Sequence, residues 1–152
     1  MPTSDGRTVT ELVAHASVIV SAPRPLVWGA LVRPETLRHI MPVTEVISEW
    51  RPGSPFVWRF EMQGASYEVT GTVFRFDVGR LLEYDYLDPL SVKPHRADNR
   101  HRVTIELTDE GTATRVSVVQ DNNLTKAALA HAEGGWRLAL NNLKALVEGA
   151  RE

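Results

Sequence analysis

The sequence predicts an α+β fold, in which a curved antiparallel sheet of about seven strands wraps around a long C-terminal helix in the order β-α-α-β6-α. Three observations carry this reading. Between Thr44 and Asn122, short apolar-alternating runs are separated by turn residues, the mark of an antiparallel meander. Beyond it, Leu129, Ala132, Trp136, Leu140, Leu143 and Val147 recur at three- and four-residue steps and so mark one face of a helix. The strand runs are apolar at alternate positions only, which gives the sheet one dry face and leaves the long helix as the element able to cover it.

The first strand is expected over Ala14 to Ser21, centred on Val18-Ile19-Val20. It ends at Ala22-Pro23-Arg24-Pro25, where Ser21 can cap a helix and the prolines suit a first turn that needs no N–H from them. One helix follows over Leu26 to Leu31, and Arg33-Pro34-Glu35 opens a second that runs to about Ile40 and that Pro42 stops. The meander then reads Thr44 to Trp50, Phe56 to Met62, Tyr67 to Phe76, Leu81 to Leu87, Arg102 to Thr108 and Thr114 to Asn122, with an irregular loop from Asp88 to Asn99. The closing helix covers roughly 25 residues, or about 38 Å at about 1.5 Å per residue. Gly134-Gly135 falls inside it, which predicts a kink or a close backbone approach.

Successive strand residues point to opposite faces, and this sorts the side chains. Phe56, Trp58, Phe60, Met62, Tyr67, Val69, Leu82, Tyr84 and Tyr86 fall on one side together with Val103, Ile105, Leu107, Val116 and Val118. Arg59, Glu61, Glu68, Glu83, Asp85, Arg102, Glu106, Arg115 and Ser117 fall on the other, the solvated back. A long antiparallel sheet coils, and Gly71 or a bulge sharpens the bend, so one helix need not fill the concave side. The hydroxyl- and amide-bearing Tyr67, Tyr84, Tyr86 and Gln120 suit either a ligand cavity or an ordinary core whose polar tips reach backbone or water.

A chain of 152 residues with 43% hydrophobic and 24% charged residues suits one domain with its own core, expected over residues 13–150 after a polar N-terminal tail of residues 1–12. A net charge of -2 gives no field for a polyanion, which argues against nucleic acid. The absence of cysteine removes disulfides, thiolate metal sites and cysteine nucleophiles, and fits a cytoplasmic location. The first ten residues carry Asp5 and Arg7 and lack a signal-like apolar core, and no run approaches the roughly 20 apolar residues that span a bilayer. The sequon Asn123-Leu124-Thr125 would matter only in a secretory pathway.

The order of the motifs resembles a known superfamily. Ser21-Ala22-Pro23 followed by Val27-Trp28-Gly29-Ala30-Leu31 is similar to the opening of the START-like SRPBCC superfamily. The stretches Tyr67 to Val73 and Arg80 to Tyr86, with Gly135-Trp136 followed by Leu140-Asn141-Asn142-Leu143-Lys144, resemble its Aha-type branch, stand-alone relatives of the C-terminal domain of the activator of heat-shock-protein ATPase. The likeness runs from about residue 13 to residue 148. It implies a Bet v 1-like helix-grip fold whose apolar cavity relatives use to bind lipids, sterols, hormones or polyketides, and in some cases to catalyse on them. The N-terminal domain of the full chaperone activator has no counterpart in this sequence, which argues against a co-chaperone role.

Residue chemistry is sparse. His95, His101 and Asp98 match no metal-ligand spacing, and His15, His39 and His131 are scattered, so no metal or cofactor is expected. Glu83 and Asp85 share the solvated face, so no shielded carboxylate pair is expected, and no nucleophile motif or phosphate-binding loop is present. The leading expectation is therefore non-covalent binding of a mostly apolar small molecule. Its wall would comprise Trp58, Phe60, Tyr67, Val69, Tyr84 and Tyr86, with Val103, Ile105, Val118 and Gln120 from the later strands and Leu129, Ala132, Trp136 and Leu140 from the helix. Trp28 is assigned to packing of the first helix. Two alternatives stand beside it: a cyclase-like enzyme with Tyr84, Tyr86, Gln120 and His131 as proton-handling groups, and a protein-interaction module that engages a chaperone or a second copy of the chain.

Overall fold

The computed structural model describes residues 12–41, 43–62, 64–87, 100–123 and 125–150, without the side chain of Met62. The N-terminal tail, His95, Asp98 and the middle residue of the sequon lie outside the described residues. The elements are β1 (Leu12–Val20), α1 (Arg24–Val32), α2 (Pro34–Ile40), β2 (Val43–Ser48), β3 (Pro55–Met62), β4 (Ala65–Asp77), β5 (Leu81–Leu87), β6 (Arg100–Glu110), β7 (Ala113–Asn123) and α3 (Lys126–Ala150). All seven strands form one antiparallel sheet in the order β1-β7-β6-β5-β4-β3-β2. The alternation that defined the meander has therefore placed each strand, and the order is that of a sheet whose first strand returns to pair with its last.

The second short helix opens at Pro34 after Arg33 as expected, whereas the first begins at Arg24, two residues earlier than expected. The residue that caps α1 is Pro23, no side chain caps it, and Ser21 instead gives its backbone N–H to Glu148 at 2.7 Å. A proline within the first turn suffices to begin the helix, since its missing N–H has no intrahelical acceptor there. α1 buries Val27, Trp28, Ala30 and Leu31, with the Trp28 ring against Phe76 at 5.3 Å between centroids. Phe76 in turn stacks on Trp50 at 5.5 Å. These rings close the end of the sheet where the β4–β5 hairpin turns.

The sheet bends where its ladder slips. Register shifts occur near the starts of β1 and β2 and between Val73 and Arg75 on β4. Beside the last of these lies Gly71. A Cβ built there would come within 1.8 Å of the Asp85 carbonyl oxygen and 2.6 Å of the Phe56 ring, so only glycine fits. Gly134 and Gly135 behave otherwise: α3 is continuous through them, and a Cβ at either meets nothing within 4 Å, so the expected close approach does not occur.

α3 lies along β1 and β7 and against α1 and α2. Its fully buried residues, Ala139, Leu140, Leu143 and Val147, all belong to its C-terminal half. Residues flanking this buried face secure the outer edge of β1, which stands at the end of the strand order. Glu133 accepts the His15 N–H at 3.1 Å, Lys144 Nζ donates to the Ile19 carbonyl at 2.9 Å, and Glu148 accepts from Ser21. Edge groups that would otherwise offer a template for another strand are satisfied within the chain. Lys144 also bonds Glu148 at 2.7 Å, four residues on.

Two measurements test this account. Gly71→Ala lowers stability by about 2 kcal/mol or more through overpacking, while Gly135→Ala, with open space and a helical backbone, raises it by about 1 kcal/mol; denaturant titration reads both, and a loss in each would contradict the difference in surroundings. Hydrogen bonds from Lys144 and from the Ser21 backbone hold the Glu148 carboxyl below its ordinary value of 4.5. A folded pKa below the unfolded one makes the contribution complete above the unfolded value and lost as pH falls through the folded value. Glu148→Gln is thus expected to flatten the fall in stability below about pH 5, measured by urea unfolding across the acid range; an acid limb identical to wild type would contradict the pairing.

Candidate functional site

The dry face divides along its length. Among the described residues, the N-terminal half of α3, at the end that holds the β3–β4 turn and the start of β6, contributes only half-buried residues to this face, Leu129, Ala132 and Trp136 among them. The opposite end is closed by Leu140, Leu143 and Val147 and by the Trp28, Trp50 and Phe76 rings.

Between the two stands an aromatic wall. Phe56, Trp58 and Tyr84 meet pairwise at 5.2, 5.3 and 5.4 Å between ring centroids, in tilted and edge-to-face arrangements. Gly71 is what lets them meet. It lies opposite Phe56 on one side and Tyr86 on the other, and its missing side chain leaves the space that the Phe56 ring fills. Tyr86 continues the wall at 6.5 Å from Tyr84, with His101 5.2 Å beyond. Phe60 and Tyr67 stack at 5.5 Å near the β3–β4 turn, both half-buried. Val69, Val103, Ile105 and Val118 form the buried floor. Of the residues expected to form the wall, Trp58, Val69, Tyr84, Tyr86, Val103, Ile105, Val118, Trp136 and Leu140 thus belong to or pack on the core, while Phe60, Tyr67, Leu129 and Ala132 are half-buried. Of the supposed proton-handling groups, Tyr84, Tyr86 and Gln120 are brought together, whereas His131 is exposed and stands apart.

Polar groups on this face fall into two kinds. Gln120, 5% exposed, accepts the Trp136 indole N–H at 2.8 Å and the Tyr86 hydroxyl at 3.3 Å through its amide oxygen. Its amide nitrogen donates to Asn123, which donates to the Leu12 and Gln120 carbonyls. This chain ties the half-buried part of α3 to β7 and β1. Sequence reasoning missed Asn123 and Phe56 as members of the site; the Gln-Asp-Asn-Asn run at the end of a strand was the available signal for the first.

The second kind has no partner. Among the described residues, the buried side-chain polar atoms left without a hydrogen bond are the Tyr84 hydroxyl and the Trp58 indole nitrogen. Tyr84 is 1% exposed, and burial, with Tyr86 adding to it, pushes its hydroxyl well above the ordinary tyrosine value. It stays protonated and can donate at any physiological pH. The buried polar residues described are Ser54, Thr114, Gln120 and Asn123, so none carries a charge. No group of three His, Asp or Glu side chains that could hold a metal occurs among the described residues, and none of the described helices is long and apolar enough to cross a membrane.

The two kinds respond oppositely to mutation. Gln120→Leu removes the acceptor of the half-buried Trp136 indole N–H and the donor to Asn123, and is expected to cost about 2 kcal/mol. Tyr84→Phe removes a hydroxyl that no protein group satisfies, and is expected to leave thermal stability equal to or above wild type. Melting temperatures of the purified variants check both; a large loss in Tyr84→Phe would mean that its hydroxyl has a partner.

Residues 21–148 match the family described as Activator of Hsp90 ATPase homolog 1-like protein. Among solved structures, ChR145 from Cytophaga hutchinsonii is 38% identical, with a TM-score of 0.80 over 92% of this chain and 96% of its own. Ara h 8.0201 shares the fold at 9% identity, with a TM-score of 0.74 over 91% of this chain and 99% of its own. DynU16, a protein in the dynemicin biosynthetic locus, is 19% identical with a TM-score of 0.73, over 91% of this chain and 48% of its own. No curated protein matches the chain.

Proposed function

Since the chain belongs to the Activator of Hsp90 ATPase homolog 1-like family and has the Bet v 1-like helix-grip fold, we propose that it works in the cytoplasm as a single binding domain over residues 13–150, taking a mostly apolar small molecule between the sheet and the N-terminal half of α3. The observation that carries this reading is the pair of buried polar groups on an aromatic wall, Tyr84 and Trp58, that the protein itself leaves without partners. A core built only for stability gains nothing from such groups, since an unmet buried donor costs more than an apolar atom of the same shape. The half-buried Leu129, Ala132 and Trp136 at the start of α3 would supply one rim of such a site.

The cyclase-like alternative has weaker support. Proton transfer needs a group whose pKa lies near the working pH, and burial moves Tyr84 away from it. The exposed His131 cannot serve a reaction under the helix, and no carboxylate is buried among the described residues.

Organic-solvent extraction of the purified protein followed by mass spectrometry is expected to release an apolar compound. Titration with fatty acids, sterols and aromatic polyketides is expected to quench tryptophan fluorescence saturably, and a bound guest at about one hundred times Kd adds about 2.7 kcal/mol of stability. No extracted compound, no quenching and no thermal shift across the panel would remove the binding proposal and leave a solid core.

A further inference from the structure

We infer that the guest presents a neutral oxygen acceptor, a ketone, ester or amide carbonyl, to the Tyr84 hydroxyl and the Trp58 indole N–H, which together are the polar anchor of the site; the inference rests on the binding reading above. The two rings are in edge-to-face contact at 5.4 Å between centroids, so both belong to one region of the wall. An indole N–H only donates, and a tyrosine hydroxyl that lacks an acceptor has a proton to give. Two unmet donors call for an acceptor.

That acceptor must be uncharged. No buried side chain described here carries a positive charge, so a carboxylate or phosphate brought into this region would lose its hydration without gaining a counter-ion. A plain hydrocarbon leaves both donors as unsatisfied as they are in the empty protein and so gains nothing from them. Neighbouring polar groups are engaged with one another: Trp136 and Tyr86 both give their protons to the Gln120 oxygen, and the Gln120 nitrogen donates to Asn123. The anchor is thus set by which groups the fold has left over, while the apolar wall sets only size and shape.

Matched probes of nearly equal volume test this. Isothermal titration compares fluorene, fluorenone and fluorene carboxylate, with xanthene and xanthone as a second pair, on wild type, Tyr84→Phe, Trp58→Phe and the double variant. The ketones are expected to bind wild type about tenfold more tightly than the hydrocarbons, and the carboxylate more weakly than either. Each single variant loses part of that preference and the double variant nearly all of it, read as the ratio of ketone to hydrocarbon affinity within each protein. The infrared carbonyl band of bound fluorenone is expected to move to lower wavenumber in wild type and to return in Tyr84→Phe, a change that a merely structural role would not produce. Equal affinity of wild type for ketone and hydrocarbon, or an undiminished preference in the double variant, overturns the anchor and leaves the cavity standing. Failure of every probe to bind wild type removes the binding reading, and the anchor with it. If the double variant does not fold, the single Tyr84→Phe variant and the infrared band decide.

Discussion

A sheet with one dry face and a single long helix to cover it meets a problem of width. Seven strands at about 4.8 Å spacing span about 29 Å, whereas a helix with its side chains is about 10 to 12 Å across. Laid flat, the sheet would leave most of its apolar face wet. It must curl, and the places where it does are specified: the register shift after Val73, and Gly71, whose absent side chain admits the Asp85 carbonyl and the Phe56 ring. The remaining width is closed by α1 and α2, which bring Trp28, Leu31, Leu37 and Ile40 against the core.

Curvature also decides where α3 can seal. Its C-terminal half is buried against strands and short helices, and Asn142 donates to the Ile40 carbonyl at 3.1 Å to fix α2 beneath it. Its N-terminal half is held through one polar chain, Trp136 to Gln120 to Asn123, and by Glu133 on the β1 edge. A few directed bonds, with the Trp136 ring packed against the core, thus keep this half of the helix in register. The same helix serves stability at one end through apolar burial and at the other through polar fastening.

Much of this was legible from residue patterns. Alternation located β5 at its observed bounds and sorted the two faces of the sheet, because a period of two leaves no ambiguity once one face is dry. The helical stripe from Leu129 to Val147 likewise identified α3. What escaped was whatever depends on distant residues. Ser21 has a capping residue's chemistry, yet its partner is Glu148, 127 positions away. Gly134-Gly135 looked like a contact surface, but the space beside it is open. His131 lies within α3 as Trp136 does, and a rotation of about 100° per residue separates an exposed histidine from a half-buried ring. Nor could composition distinguish Gln120, whose polar atoms are all engaged, from Tyr84, whose hydroxyl is not.

That last distinction bears on what the interior can do. A buried network that is fully satisfied stiffens a fold, and its members are committed to each other. A buried donor without a partner does the reverse: it raises the free energy of the empty protein slightly and lowers that of any complex that meets it, so the same atom costs stability and adds affinity. On this face the two kinds are adjacent, Gln120 and Tyr84 flanking Val103 across β7, β6 and β5. The engaged group holds the helix and the unengaged one is free for a guest. Discrimination among guests of similar size then follows from hydrogen bonding, not apolar area, because hydrocarbon walls separate ligands by only about 1 to 3 kcal/mol per methylene. On the binding proposed above, recognition would rest on neutral donors, since the buried polar side chains among the described residues carry no charge.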